Sequence, residues 1–291
     1  MSKDGFSKCH PVTNFVFFLG AICFGVVFQH PAYLLAALLC GGIYYVQLKG
    51  RKAVKSMGGM FLLLLAVGLI NPVFNTQGET VLFHLMGRPY TLEALGYGFA
   101  VGGILVITLL WFGCYNQIMT EDKFTALFGN LAPSLSLLLV MIFRLIPSLL
   151  AKAKQITDAR RSIGRGGQNV PLREKVKNGM TVLLSLTGWA LESGVLTADS
   201  MRSRGYGTAK RSNFQSYAMT AGDWMLLAFT VITGGITLWG GFAGFTEATY
   251  TPLYSAAPVN FCLLVYCMYL LIPVVIHGKE VLLCRIFISK I

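Results

Sequence analysis

The chain has 291 residues, of which 55% are hydrophobic and only 12% charged. A soluble domain carries about 25% charged residues, and long stretches here offer no polar face to water. An ordinary soluble fold is therefore excluded, and an integral membrane protein is expected. The net charge of +12 does not by itself indicate nucleic acid, because the basic residues must first be placed relative to a bilayer.

A membrane span needs about 20 mostly apolar residues. Six segments stand out in chain order: 12–28, 31–48, 57–74, 95–115, 219–244 and 259–277. Lys3 and Lys8 precede the first segment in the manner of a signal peptide. No small-x-small cleavage site follows, so an uncleaved first span is expected. Gln29-His30-Pro31 splits the first two spans into a tight helical hairpin, because proline disfavours helix at the residue before it.

Charge orients these spans. Lys49, Arg51, Lys52 and Lys55 crowd the loop after the second span. The loop between the third and fourth has one basic residue, Arg88, beside Glu79 and Glu93, and the loop 245–258 has none. With both termini cytoplasmic, 23 of the 24 Lys and Arg fall on the cytoplasmic side, and the reverse orientation leaves one there. The positive-inside rule therefore places both termini in the cytoplasm.

The long segment 116–218 holds 14 of the 24 Lys and Arg against six Asp and Glu. Its stretch 131–151 is apolar enough to span but is interrupted by Pro133, Arg144 and Pro147. An arginine at the centre of a lipid-exposed span costs several kcal/mol, so an interfacial or protein-buried helix is expected. Arg144 either snorkels to the interface or pairs inside the fold. The helix continues to Arg161, and Gly164, Gly166 and Gly167 end it. Pro171 starts a second helix over 172–204, stopped by Gly205-Tyr206-Gly207. The expected fold is all-α and polytopic, with about six transmembrane helices and long cytoplasmic helices. Its organisation is 1–115 transmembrane, 116–218 cytoplasmic or interfacial, and 219–291 transmembrane.

Several chemistries find no support. Seven cysteines, an odd number without a C-x-x-C pair, lie mostly inside apolar runs. They read as small buried residues rather than disulfides or metal ligands. His10, His30, His84 and His277 are scattered and read as interfacial or capping groups, so no metal site is expected. The four tryptophans read as interfacial or packing residues. Glu192 and Asp199 share a helix face but lack an activated base or nucleophile, so catalysis is not expected. No cofactor is implied. Gly98-x-x-x-Gly102 and Gly240-x-x-x-Gly244 sit in spans at a spacing that permits close helix approach, though chance would also produce it.

The informative residues are the two helix ends. One reads Asp158-Ala159-Arg160-Arg161-Ser162-Ile163-Gly164, the other Asp199-Ser200-Met201-Arg202-Ser203-Arg204-Gly205-Tyr206-Gly207. A helix C-terminus carries about half a negative charge, so arginine is favourable there. Glycine next to it takes a left-handed cap. The arginine is then presented at a tip, its fork open to a partner's carboxylate. Arginine before glycine at one helix end is ordinary capping; two such ends in one basic segment point towards docking.

Together with Phe143-Arg144-Leu145-Ile146-Pro147, these ends resemble the transmembrane coupling subunit of energy-coupling factor transporters, the T component or CbiQ family. The resemblance covers the order of spans and cytoplasmic helices over nearly the whole chain, and Met201–Tyr206 is its sharpest part. In that family two Ala-Arg-Gly motifs close coupling helices and enter grooves on two ABC-type ATPase subunits. By the resemblance, Arg204 is the second motif's arginine, with Ser203 in place of alanine and Gly205 retained. At the first motif Ile163 stands at the arginine position, between Ser162 and Gly164, and Arg160, Arg161 or Arg165 could replace the charge. The resemblance implies a non-catalytic subunit in a prokaryotic plasma membrane. It would pass ATPase motion to a substrate-binding S component for vitamin or metal-ion (cobalt or nickel) uptake. The chain has no G-x-x-x-x-G-K-[ST] phosphate loop of its own. The competing expectation is a self-sufficient secondary transporter or channel. Its spans would then be expected to carry ionisable groups, and Asp223 is the main one. A third is a membrane enzyme using its basic segment to hold anionic headgroups.

Overall fold

The computed structural model describes residues 5–75, 78, 80–85, 88–131, 133–164, 171–208, 217–250, 255–258 and 260–288. The chain is an all-α polytopic membrane protein. Its elements in order are α1 (Gly5–Lys8), α2 (Pro11–Val27), α3 (Pro31–Lys49), α4 (Arg51–Phe74), the strands β1 (Val81–Leu85) and β2 (Arg88–Thr91), α5 (Leu92–Ile118), α6 (Glu121–Leu131), α7 (Pro133–Ser162), α8 (Leu172–Ser203), α9 (Ala221–Phe242), the strands β3 (Ala248–Thr249) and β4 (Ser255–Ala256), and α10 (Phe261–Ile288). Among the described residues seven helices are long and apolar enough to cross a membrane: α3, α4, α5, α7, α8, α9 and α10. Helix α2 is apolar but, at 17 residues, shorter. The six expected spans correspond to α2, α3, α4, α5, α9 and α10, and α7 and α8 add two more helices of spanning length. Pro147 lies inside α7 without ending it.

The chain divides into two compact units, Met1–Lys123 with Tyr217–Ile291, and Phe124–Ser216. In the first, side-chain caps set the helix starts. His10 and His30 each precede a proline, and each Nδ1 accepts the amide two residues on, from Val12 at 3.3 Å and Ala32 at 3.1 Å. The proline at the first helical position lacks the N–H that would otherwise be orphaned. Thr220 and Asp223 form a reciprocal capping box on α9. Asp223 also accepts the His10 amide at 3.1 Å, so this carboxylate sits at the helix edge and ties α9 to α2. Glu93, at the start of α5, accepts from the Thr80 hydroxyl at 2.5 Å and secures the β1–β2 hairpin. That hairpin is antiparallel, with His84 opposite Pro89 and a bulge between Val81 and Phe83.

The core of this unit is aromatic. Phe17, Phe18, Tyr44 and Trp111 are fully buried, and Tyr45 and Tyr269 nearly so. Phe17 stacks on Tyr269 at 5.1 Å and meets Trp111 edge-on at 5.7 Å. The Tyr269 hydroxyl donates to the Phe17 carbonyl at 2.7 Å. Glycine brings α4 and α5 together: a Cβ at Gly98 would lie 2.8 Å from the Gly68 carbonyl, and one at Gly102 3.2 Å from that of Leu64. This pair is therefore a packing contact. Gly240 packs as well, against Cys262, while Gly244 has φ +80° and ends α9. Cys9, Cys23, Cys40, Cys114, Cys262 and Cys267 are free thiols.

The second unit is built on α7 and α8. The Arg160 guanidinium donates to Asn178 Oδ1 at 2.7 Å, and Lys152 lies over the Trp189 ring at 5.7 Å. Contacts that step back along α7 while stepping forward along α8 make an antiparallel pair. No residue of α8 is buried.

Candidate functional site

The two helix ends share one backbone design. At the end of α8, Gly205 has φ +72°. Its amide donates to the Arg202 carbonyl at 3.0 Å, and the Tyr206 amide reaches back to Met201 at 3.1 Å. These are the paired bonds of a Schellman cap, which satisfy carbonyls that the helix leaves open. Arg204 is the cap residue, at φ −83° and ψ 6°. At the end of α7, Gly164 has φ +76° and donates to the Arg161 carbonyl at 3.0 Å, the same step as Gly205 to Arg202. Ile163 is thereby the counterpart of Arg204.

The likeness extends one turn further. The Ser162 hydroxyl donates to the Asp158 carbonyl at 3.1 Å, and the Ser203 hydroxyl to that of Asp199 at 2.8 Å. Both ends thus carry Asp-x-x-Arg-Ser-x-Gly, from Asp158 to Gly164 and from Asp199 to Gly205. The serine and glycine of this repeat were legible in the sequence; the aspartate and the arginine before the serine, equally open to it, were missed. Helix α9 ends on a similar cap at Gly244, where Phe245 bonds back to Gly240 at 3.1 Å. The cap alone is ordinary; the aspartate, arginine and serine around it set the other two apart.

Side-chain electrostatics differ between the ends. Arg160 is half-buried and engaged by Asn178. Arg161 lies 3.8 Å from Asp158, with both side chains more than half exposed, so this pair contributes under about 1 kcal/mol. Arg204 is exposed. No family model matches the chain, and no curated protein does. Arg165, Gly166 and Gly167 lie outside the described residues. Arg144 is exposed on α7.

The ends are also well separated. Arg160 is level with Asn178 on α8, and from Asn178 to Ser203 the helix rises about 38 Å at about 1.5 Å per residue. Such a pair of ends can engage two surfaces that lie far apart, and among the described residues neither end assembles a metal-ligand cluster.

Proposed function

We propose that the chain is the transmembrane coupling subunit of an energy-coupling factor type ABC uptake transporter in a prokaryotic plasma membrane. The observation that carries this reading is the repeated Asp-x-x-Arg-Ser-x-Gly end, exposed at both sites and closed in each case by a left-handed glycine. Each end projects side chains from a stiff helix, as a contact entering a partner's groove requires. The partners are two ABC-type ATPase subunits and a membrane-embedded S component that binds a vitamin or metal ion. ATP hydrolysis belongs to the ATPases; this subunit passes on their motion, needs no cofactor and has no nucleic-acid partner.

Both termini are assigned to the cytoplasm. Although α7 and α8 have spanning length, a crossing pair would carry Arg160, Arg161, Arg173, Lys175 and Lys177 across the bilayer, against the positive-inside rule. Keeping both helices on the cytoplasmic side avoids this and leaves the other spans' orientation unchanged.

The test is co-purification of the chain with the ABC ATPases of its own organism, wild type against Arg204→Glu. Reversing a charge at a desolvated contact is expected to weaken the complex about 30-fold or more. A folded wild-type chain that retains no ATPase would rule the coupling role out. Equal retention by both forms would move the contact away from the α8 end.

A further inference from the structure

The two ends superimpose in backbone logic and differ most at one position, where α7 has Ile163 and α8 has Arg204. Ile163 is 71% exposed and follows Arg160, Arg161 and Ser162. Among the described residues, Arg160 is held by Asn178, and Arg161 is largely exposed beside Asp158. Both stand before the cap position, where α7 has Ile163 and α8 has Arg204. Among the described residues the Arg204 guanidinium has no partner, and Tyr206 beside it is 54% exposed. At the cap position one end presents an exposed isoleucine, the other an open cation.

We infer that the ends dock on chemically different surfaces, Ile163 in an apolar pocket on one ATPase subunit and Arg204 in an acidic groove on the other. The inference rests on the coupling reading and deepens it. Burial of an isoleucine draws on released water and is insensitive to salt. A cation entering an acidic groove is screened as ionic strength rises. Two identical partner surfaces would leave one end mismatched, so the two surfaces are not interchangeable.

The experiment uses the full chain in lipid nanodiscs and measures binding of both ATPase subunits at salt from about 50 to about 500 mM, a range over which the screening length falls severalfold. Ile163→Ala leaves the α8 contact in charge, and its residual binding is expected to fall steeply with salt. Arg204→Ala leaves the α7 contact, and its residual binding is expected to stay nearly flat. Ile163→Arg, which gives both ends the same cap residue, is expected to weaken binding about tenfold. Equal salt profiles for the two alanine variants, or unchanged or tighter binding by Ile163→Arg, would overturn the inference while leaving the coupling role standing. A folded wild-type chain that binds no ATPase at any salt overturns both. All three substitutions are at exposed positions, and elution matching wild type confirms that each variant is folded.

Discussion

The two units use apolar residues in opposite ways. In the first, Trp111, Tyr44 and Phe17 are wholly buried, and glycines at 98 and 102 let helices α4 and α5 touch backbone to backbone. In the second, Leu184 and Leu191 on α8 are 69% and 68% exposed, and Gly179, Gly188 and Gly194 have nothing within 4 Å of where a Cβ would stand. Hydropathy marks both as membrane-compatible. Lipid tails are as apolar as leucine, however, so helices in a bilayer associate through shape and close packing rather than through hydrophobicity. The first unit has the rings and small residues for that, whereas α8 carries mainly flexible aliphatic chains without a complementary surface of its own.

The sharpest way to break this contrast is a pair of truncations. Trp111→Ala is expected to cost about 3–5 kcal/mol by opening a cavity, and Leu184→Ala less than about 0.5 kcal/mol, both read by denaturant titration in mixed micelles. Comparable losses would mean that α8 packs in solution. A smaller effect is expected from glycine. Gly98→Val should cost about 1–3 kcal/mol through overpacking against Gly68, visible as a lower Tm. Gly188→Ala should instead gain up to about 1 kcal/mol through helix propensity. Gly205→Ala should cost about 1 kcal/mol for an L side chain in the left-handed region. Amide exchange should show it only in the last turn of α8, because an end without buried contacts opens locally.

The spans were legible because apolar runs of that length have one structural outcome, and proline and glycine punctuate them. Boundaries were less so. The third span was expected from residue 57, yet α4 starts at Arg51, because Arg51, Lys52 and Lys55 are good helix formers and a charged first turn can extend beyond the lipid. The β1–β2 hairpin was not foreseen: strands of five and four residues leave too short an alternation to read, and Pro89 obscures it further. The capping role expected of the histidines holds for His10 and His30. At the helix ends, glycine and arginine gave the position. The placement of Ile163 at the position of Arg204 came from the resemblance, and the φ of Gly164 and Gly205 gives it a backbone basis, since a cap is defined by torsion as much as by residue type.

The contacts between α7 and α8 also give the two ends different lever arms. Trp189, beneath Lys152, stands 14 residues before Ser203, an arm of about 21 Å. Arg160, held by Asn178, stands two residues before Ser162, an arm of about 3 Å. A tilt of about 10° about these fulcra sweeps the α8 tip through about 4 Å and the α7 tip through well under 1 Å. Measured each from its own contact, the α7 end is tethered short and the α8 end long, so a tilt of either helix carries Arg204 further than Ile163.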